Sequence, residues 1–475
     1  MEMLSVKGNQ IVDPRGQEVR LRGTCVGGWM NTEDFINAYP GADHQLRAVM
    51  ARELGAGKAE FFFKRLMDHF FTEEDVKYIR SLGATVVRLP LNYRHFESDA
   101  RPFEYLEEGF LRLDQAVEWC ARHGLYVILD LHACPGWQNT DWHSDNASRH
   151  SLFWTHPHFQ ERFVALWQQF AGRYQGNPAI AGYNLMNEPV TNTPFGRFSS
   201  VYNPNWEVIN RIYRRTVEAV RAIDAEHIIF LEGDYYSQRF AGFEPPFAPN
   251  LVYSSHNYNH AGFGPGRYPG VIKGVDWNLD MQRKVIGESE GLQWTRKQNV
   301  PLWVGEFGAA YNGPAEEIPY RLRAMDDQLT AYDENRLHWT TWTYKDVHVM
   351  GWVQVQPDSA YMRAIQAVFK AKEDLSVDFW MKWIEPTAVE KMTIQLARAV
   401  EEYIDDPSVD PFANQTYLGQ HVLSGYVAAL MQPYYAHCFS SLSEEQIDDA
   451  LASFELRNCR PHAGLVEVLK KHLAS

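Results

Sequence analysis

The stretch IAGYNLMNEP, residues 180–189, decides the fold more than any other part of the sequence. Its apolar run ends in Glu188, and a proline follows at once. An isolated carboxylate buried at a strand end costs roughly several kcal/mol, so packing does not explain it. The stretch VPLWVGEFG, residues 300–308, repeats this arrangement with Glu306. The two stretches therefore predict two buried strands that each end in a functional acid.

Short apolar runs of this kind recur eight times along the chain. They are continuous rather than alternating, which is typical of strands buried on both faces. Stripes at helical spacing lie between them, for instance Phe163, Trp167 and Phe170. The runs are VRLRGTCV (19–26), ATVVRLP (84–90), LYVILDLH (125–132), AIAGYNLMN (179–187), HIIFLEG (227–233), LVYSSHNY (251–258), PLWVGEF (301–307) and LHWTTWTY (337–344).

Eight strands that alternate with helices predict an α/β fold, a (β/α)8 TIM barrel. The competing doubly wound sheet would need a Gly-rich phosphate loop after its first strand, and Gly27-Gly28 is a weak match to one. In a parallel barrel the carboxyl ends of the strands meet at one mouth. Glu188 and Glu306 are therefore expected to face one another there. Three long connections, 27–71, 133–156 and 188–205, are expected to wall in this mouth.

The two ends of the chain depart from the barrel pattern. Residues 3–22 predict an N-terminal β-hairpin that closes the bottom of the barrel. Beyond residue 372 the pattern becomes helical. We therefore predict a catalytic barrel over 1–372 and an all-α C-terminal extension over 373–475 that packs on it. One predicted helix of the extension carries the apolar stripe Val389, Met392, Leu396 and Val400.

Composition excludes several classes of protein. The formal net charge of −15 argues against nucleic-acid partners, which need clustered Lys and Arg. The sequence has no apolar run of membrane-spanning length, so no span is expected. The five cysteines are scattered, and MEMLSVKGNQ is unlike a secretory signal, so we predict a cytoplasmic protein with reduced thiols. The oligomeric state is not decided by the sequence.

The loop DLHACPGWQNTDWHSDN, residues 130–146, is rich in possible metal ligands. Barrel hydrolases of the amidohydrolase kind place a His-x-His pair at the end of the first strand. Here that strand ends in Gly23-Thr24-Cys25. We therefore predict neither a metal nor a cofactor, and expect the polar groups of the loop to bind hydroxyls.

The residues at the strand ends carry a family resemblance. Arg88 ends the second run, His132 the third, Asn187 and Glu188 the fourth, His256 and Tyr258 the sixth, Glu306 the seventh and Trp342 the eighth. In this order they resemble glycoside hydrolase family 5, a large family of retaining β-glycosidases, over roughly residues 3–372. An Asn-Glu-Pro motif alone occurs by chance. The resemblance is specific because the residues share the order of the family and their position on the strands.

The resemblance implies a role for each matching position. Asn187-Glu188-Pro189 is similar to the motif of the family, which implies that Glu188 is the acid/base and that Asn187 touches the sugar 2-hydroxyl. It implies that Glu306 is the nucleophile. Its charge would be held by donors such as Arg88 and Tyr258. The remaining implied substrate-binding residues are His132, His256 and Trp342.

A finer resemblance concerns the segment RGTCVGGWMNTE, residues 22–33. It is similar to the exo-β-1,3-glucanase and β-glucosidase branch of the family. In that branch a Gly-Gly-Trp segment is followed, four residues after the Trp, by a Glu that holds the terminal sugar. Glu33 has that place here, and Asn146 is a further expected sugar contact.

The sequence therefore predicts a retaining exo-β-glycosidase that hydrolyses β-glucosides or short β-glucans. An endo-β-glucanase or a β-mannanase of the same family is an alternative. A glucosidase for lipid or steryl glucosides is another, given the apolar stretch 59–71. From other classes, a catalytically silent sugar-binding protein and a metal-dependent hydrolase are the rivals.

Overall fold

The structure, a computed structural model, describes residues 1–192, 202–378, 386–404, 406–407 and 409–474. Its strands in chain order are β1 (Ser5–Lys7), β2 (Gln10–Val12), β3 (Arg22–Cys25), β4 (Val86–Asn92), β5 (Glu97–Ser98), β6 (Arg101–Tyr105), β7 (Tyr126–Ala133), β8 (Ile180–Asn184), β9 (Ile228–Glu232), β10 (Leu251–His256), β11 (Gly270–Ile272), β12 (Val275–Trp277), β13 (Leu302–Glu306), β14 (His338–Thr341), β15 (Lys345–Asp346), β16 (Val353–Val355) and β17 (Cys459–Pro461).

The helices alternate with these strands and then continue into the C-terminal extension. In chain order they are α1 (Asp34–Asn37), α2 (Asp43–Leu54), α3 (Ala56–Phe70), α4 (Glu73–Ser81), α5 (Glu107–His123), α6 (Pro157–Tyr174), α7 (Trp206–Arg221), α8 (Asp234–Ser237), α9 (His260–Phe263), α10 (Leu279–Gly287), α11 (Glu290–Gln298), α12 (Ile318–Glu334), α13 (Ala360–Asp374), α14 (Ala388–Ile404), α15 (Pro411–Gly419), α16 (Ala428–Ser440), α17 (Glu444–Leu451) and α18 (Ala463–Leu473).

Eight parallel strands close into a barrel in the order β10-β13-β14-β3-β4-β7-β8-β9. Each overlaps one of the eight apolar runs, with β4 and β7 extending two residues and one residue past theirs, and the (β/α)8 prediction is confirmed. Neighbouring strands place these residues side by side: Cys25 pairs in register with Arg88, which lies inside β4 rather than at its end, and His256 pairs with Glu306 at the mouth. The barrel therefore brings the predicted strand-end residues to one place.

The N-terminal hairpin is confirmed. β1 and β2 pair antiparallel, with Val6 opposite Ile11. Leu4 and Ile11 are buried in a cluster that contains Leu21, Val86 and the other residues that fill the lower barrel. The hairpin therefore closes the end of the barrel that lies opposite the mouth.

Local sequence signals account for several helix boundaries. Thr72 and Asp75 form a capping box that begins α4, as the sequence predicts. Ser443 and Gln446 form another at the start of α17. Among the described residues, no helix has both the length and the apolar character needed to cross a bilayer.

The C-terminal extension packs against the barrel through buried polar contacts. β17 pairs antiparallel with β16, and Lys345 of β15 donates to the backbone oxygen of Phe454 at 2.6 Å. At the other end, Arg22 of β3 donates to the backbone oxygen of His472 at 2.7 Å. The division at residue 372 stays a prediction, and α13 runs across it.

The predicted helix with the apolar stripe is α14, and the stripe lies on its exposed side. Met392 and Leu396 are 65% and 53% exposed, and Val400 is exposed as well. α14 instead buries Thr393 and Ala397. The small side chains of that face let the helix approach its neighbours closely, so the apolar stripe faces outward.

Candidate active site

Glu188 and Glu306 face one another at the mouth of the barrel. A carboxylate oxygen of each, together with a ring nitrogen of His256, forms a group of atoms that all lie within 4.8 Å of one another. Glu306 is the last residue of β13, and Glu188 follows β8 by four residues. All three side chains are buried. The structure thus brings together the two acids on which the functional prediction rests.

Glu306 is held by a cation and a phenol. Nη1 of Arg88 donates to its Oε1 at 2.5 Å, and the hydroxyl of Tyr258 donates to its Oε2 at 2.9 Å. Both donors stabilise a charged carboxylate. Glu306 is therefore arranged as a fixed anion, which is the state that a nucleophilic carboxylate requires.

Glu188 contacts two histidines. Its Oε1 lies 2.7 Å from Nδ1 of His256, and its Oε2 lies 3.1 Å from Nε2 of His143. Its backbone is left-handed, with φ at 46°, and its N–H donates to Glu232 at 2.8 Å. Burial by itself raises the pKa of Glu188, but hydrogen bonds to His143 and His256 outweigh burial and lower the pKa when those rings carry the proton. The protonation of these two rings therefore decides whether Glu188 can act as an acid.

His256 stands between the acids. Its Nδ1 lies 3.7 Å from Glu306, and its Nε2 lies 3.5 Å from Glu232. Burial lowers the pKa of His256, but the negative charges of Glu306 and Glu232 outweigh burial and raise it to about 10. The ring is thus a cation at neutral pH, which reduces the repulsion between the two carboxylates.

Arg88 connects the strand ends at the floor of the site. Its guanidinium is fully buried and donates to Asn187 at 2.7 Å and to Glu232 at 3.1 Å. Its Nη2 also lies 3.1 Å from Asp130. A planar fork with five donors suits such a site, which a lysine could not satisfy. The floor therefore holds Asn187 and the nucleophile candidate Glu306 in fixed positions.

One wall of the site is built around His132. Its Nδ1 lies 2.7 Å from Asp130, its Nε2 lies 3.5 Å from Glu33, and its ring stacks on Trp342 at 5.1 Å. A Cβ added at Gly27 would lie 2.7 Å from the Trp342 ring, so this position requires glycine. Glu33, His132 and Trp342 are therefore gathered into one wall, next to Asn187.

Asn146 is the one predicted site residue that the structure uses differently. Its amide nitrogen donates to Asn139 O at 2.7 Å, and its oxygen accepts from the N–H groups of Ser148 and Arg149. Both ends of the amide thus hold the 133–156 loop together. The sugar contact that the sequence predicts for Asn146 stays a prediction.

Residues outside the predicted set complete the site. Glu232 ends an apolar run before a glycine, so the rule that identified Glu188 and Glu306 would also have found it. It accepts hydrogen bonds from the Glu188 N–H and from the Ser237 hydroxyl, and it supports the turn that carries Glu188. Gln138 donates to the backbone oxygen of His132 at 2.6 Å. No spacing in the sequence marks Gln138 or His143 as site residues.

The acids and His256 are also close enough together to surround a cation. Arg88 already places a full positive charge at 2.5 Å from Glu306, and His256 is itself charged. A divalent ion at this point would be repelled by both groups. We therefore assign no metal ligand in the site.

Comparisons with known proteins agree with this site. The model of the family "Cellulase (glycosyl hydrolase family 5)" matches residues 56–348. A β-xylosidase of Phanerodontia chrysosporium is 34% identical over 99% of this chain and 98% of its own length. A probable glucan 1,3-β-glucosidase A of Emericella nidulans is 25% identical over 70% of this chain and 87% of its own length. Endoglucanase C of Acetivibrio thermocellus is 25% identical over 60% of this chain and 87% of its own length.

Among solved structures, that of an endogalactoceramidase superposes with a TM-score of 0.51, at 20% identity, over 73% of this chain and 75% of its own. At that identity the likeness concerns the fold alone. The family model and the full-length relative carry the assignment. The chain is a glycoside hydrolase that acts on O-glycosyl compounds, and it belongs to glycosyl hydrolase family 5.

Proposed function

We propose that the protein is a retaining exo-β-glycosidase that hydrolyses β-glucosides or short β-glucans. The observation that carries the retaining mechanism is the approach of Glu188 and Glu306 to within 4.8 Å. Retaining glycosidases hold their two carboxyl groups about 5–5.5 Å apart, whereas inverting enzymes leave about 6.5–9.5 Å for a water molecule. The spacing leaves no room for that water and suits direct attack by one carboxylate.

The reaction takes place in two displacements. In the first, an oxygen of Glu306 bonds to the anomeric carbon, the bond to the leaving group breaks, and Glu188 gives its proton to the departing oxygen. In the second, Glu188 takes a proton from water, the water oxygen bonds to the anomeric carbon, and the bond to Glu306 breaks. Arg88 and Tyr258 hold Glu306 in both steps, since both donate to its oxygens.

The packing around Glu33 supports exo action. Glu33 immediately precedes α1, whose four residues are all buried. Tyr361 donates to the backbone oxygen of Asn37, and Lys372 to that of Asp34. Helix α13, which carries Tyr361 and Lys372, therefore covers the chain just beyond Glu33. A polymer could not extend past that wall, so the site suits the end of a glycan rather than its middle.

A second sugar deserves testing beside glucose. The relative that matches the chain over its whole length, including the extension, is described as a β-xylosidase. Xylosides lack the hydroxymethyl group that glucosides carry, so the two sugars differ at a single substituent. A β-xyloside is therefore the second candidate substrate, and the glucan 1,3-β-glucosidase relative favours the first.

The apolar stretch 59–71 gives no support for a lipid or steryl aglycone. The apolar stretch 59–71 forms most of α3, and it buries Phe62, Leu66 and Phe70 in the core of the protein. These side chains are not available to a bound lipid.

The direct test follows the anomer released from an aryl β-glucoside and from an aryl β-xyloside by NMR. Initial release of the β-anomer is expected, and initial release of the α-anomer would end the retaining proposal. Glu306→Gln should abolish turnover, while Glu316→Gln, an exposed acid in the loop after β13, should leave it unchanged. Hydrolysis of internal bonds in a β-glucan, without release of terminal sugar, would favour the endo alternative. Location in the cytoplasm stays a prediction, which cell fractionation tests.

A further inference from the structure

The loop after β7 brings a second histidine to the acid/base candidate. Nε2 of His143 lies 3.1 Å from Oε2 of Glu188, on the opposite oxygen from His256. The His143 ring packs edge-on against His132 at 6.0 Å and lies 6.5 Å from the ring of Tyr236. It is largely buried and is held in place, so its proton matters to Glu188.

The side-chain amide of Asn139 lies between the backbone of Glu188 and the ring of His143, and its hydrogen bonds fix its orientation. Its Oδ1 accepts the N–H of Asp141 at 3.0 Å, and its Nδ2 donates to the backbone oxygen of Glu188 at 3.0 Å. These two contacts fix the orientation of the amide, because a flipped amide would satisfy neither. The second hydrogen of Nδ2 then points at Nε2 of His143, which lies 2.8 Å away.

This orientation disfavours a proton on Nε2 of His143. An N–H there would face the N–H of Asn139 at 2.8 Å. With the proton on Nδ1 instead, the single lone pair of Nε2 accepts from Asn139 at 2.8 Å, and Oε2 of Glu188 lies 3.1 Å from the same nitrogen. A charged Glu188 would then oppose that lone pair at 3.1 Å, whereas a protonated Glu188 can donate its O–H to it. The geometry therefore fits a neutral His143 beside a protonated Glu188.

The surrounding charges act in the other direction. Burial lowers the pKa of His143, but Glu188, Asp141 and Glu33 together outweigh burial and raise it. The contribution of Glu188 exists only while Glu188 is a carboxylate. Glu188 and His143 therefore titrate together, with one proton between them. The three acids favour a proton on Nε2 of His143, and the neutral Asn139 N–H disfavours it.

We propose that Glu188 and His143 share one proton and that the Asn139 amide places it on Glu188 in the resting enzyme, an inference that rests on the proposed function. Asn139 and His143 are then positioning residues that act through Glu188. In the first displacement the proton passes from Glu188 to the leaving oxygen. Afterwards the Glu188 carboxylate faces the His143 lone pair, which favours removal of a proton from water in the second displacement.

The test exchanges the amide donor for an acceptor of the same shape, Asn139→Asp. A carboxylate at 139 stabilises a proton on Nε2 of His143, so the shared proton leaves Glu188. The value of kcat/KM is measured for phenyl β-glucoside, whose leaving group needs a proton, and for 2,4-dinitrophenyl β-glucoside, whose leaving group needs none. General acid catalysis contributes about 10²–10⁴. The value of kcat/KM should therefore fall about 100-fold for the phenyl substrate and change only about threefold for the dinitrophenyl substrate.

A second substitution separates proton placement from damage to the loop. In Asn139→Asp/His143→Phe the alternative proton site is gone, so the proton returns to Glu188. The value of kcat/KM for the phenyl substrate should then be at least about tenfold higher than in the single variant. Equal losses on both substrates in Asn139→Asp, or no recovery in the double variant, would overturn the inference.

A measurement on the wild-type protein covers the case in which the variants fail to fold. Nitrogen-15 NMR of histidine-labelled protein, with His143→Phe to assign the signal, should show a neutral ring with its proton on Nδ1 at neutral pH. An imidazolium signal for His143 would overturn the inference. Wild-type protein that cleaves neither glucoside would instead contradict the proposed function, and the NMR result would still report where the proton lies.

Discussion

Replacing Lys372 with methionine should damage the site from a distance, through the segment that carries Glu33. Nζ of Lys372 is buried and donates to the backbone oxygens of Asp34 at 2.8 Å and Tyr39 at 2.7 Å. It also forms an ion pair with Asp378 at 2.9 Å. One amine thus holds both ends of the short turn that follows Glu33.

The size of the effect follows from these contacts. Removing one partner of a buried ion pair costs about 3–5 kcal/mol, and the lower end applies here because the side chain of Asp378 is 23% exposed. Either the whole fold loses that stability, or the 34–39 turn moves to relieve it. In the second case Glu33 shifts, and a hydrogen bond from a charged group to a sugar hydroxyl, about 1.5–3 kcal/mol, is lost. We expect kcat/KM for an aryl β-glucoside to fall roughly 10- to 150-fold.

The matched control lies on the same helix. Lys370 is exposed and pairs with Asp374 at 2.9 Å on the surface, where such pairs contribute about 0–1 kcal/mol. Thermal melts by circular dichroism and kcat/KM are measured for Lys372→Met and Lys370→Met together. If the two variants are equal in both measurements, Lys372 does not hold the Glu33 turn and the reasoning is refuted.

Three further predictions concern the acid/base, the nucleophile and the pH dependence. Glu188→Gln should slow the hydrolysis of phenyl β-glucoside by about 10²–10⁴. Azide should restore turnover by forming a β-glycosyl azide, and absence of that product would contradict the role of Glu188. Tyr258→Phe removes the 2.9 Å bond to Glu306 and should lower kcat about 10- to 150-fold, since a bond to a charged group contributes about 1.5–3 kcal/mol; a change in KM alone would argue against this. Burial lowers the pKa of His132, but the negative charge of Asp130 outweighs burial and raises the pKa from 6.5 to about 9. The stability that the charged ring contributes is therefore complete below pH about 6.5 and is lost as the pH rises through about 9. The melting temperature should therefore decline less steeply toward pH 10 in His132→Gln than in the wild type, and equal slopes would exclude His132 as the cause.

The barrel and the pair of acids could be predicted because strand phase is visible in the sequence. The apolar runs place Glu306 at the last residue of β13 and Glu188 four residues beyond β8, and all strands of a parallel barrel lead to the same mouth. The same logic placed Arg88 and His256. Glu232 has the same signal and yet supports the backbone of Glu188, so the pattern locates a residue at the mouth without assigning its task.

Loop conformation and the choice of buried helix face could not be predicted. His143, Asn139 and Asn146 lie in a loop without periodicity, and their partners depend on a fold that no spacing reveals. In α14 the period showed which residues share a face. It did not show that Thr393 and Ala397, rather than Leu396, would face the protein, because that depends on how closely the neighbouring helices approach.

The bond between Arg22 and the backbone of His472 has a consequence for the order of events during synthesis. Arg22 belongs to the first barrel strand, and its acceptor is 450 residues further along the chain. At a translation rate of roughly 5–20 residues per second, that acceptor emerges from the ribosome about 20–90 seconds later. Asp333, which pairs with Arg22 at 2.7 Å, is synthesised before His472, so the guanidinium can gain this ion pair first. The contact between the first strand and α18 therefore forms only after all eight barrel strands have been synthesised.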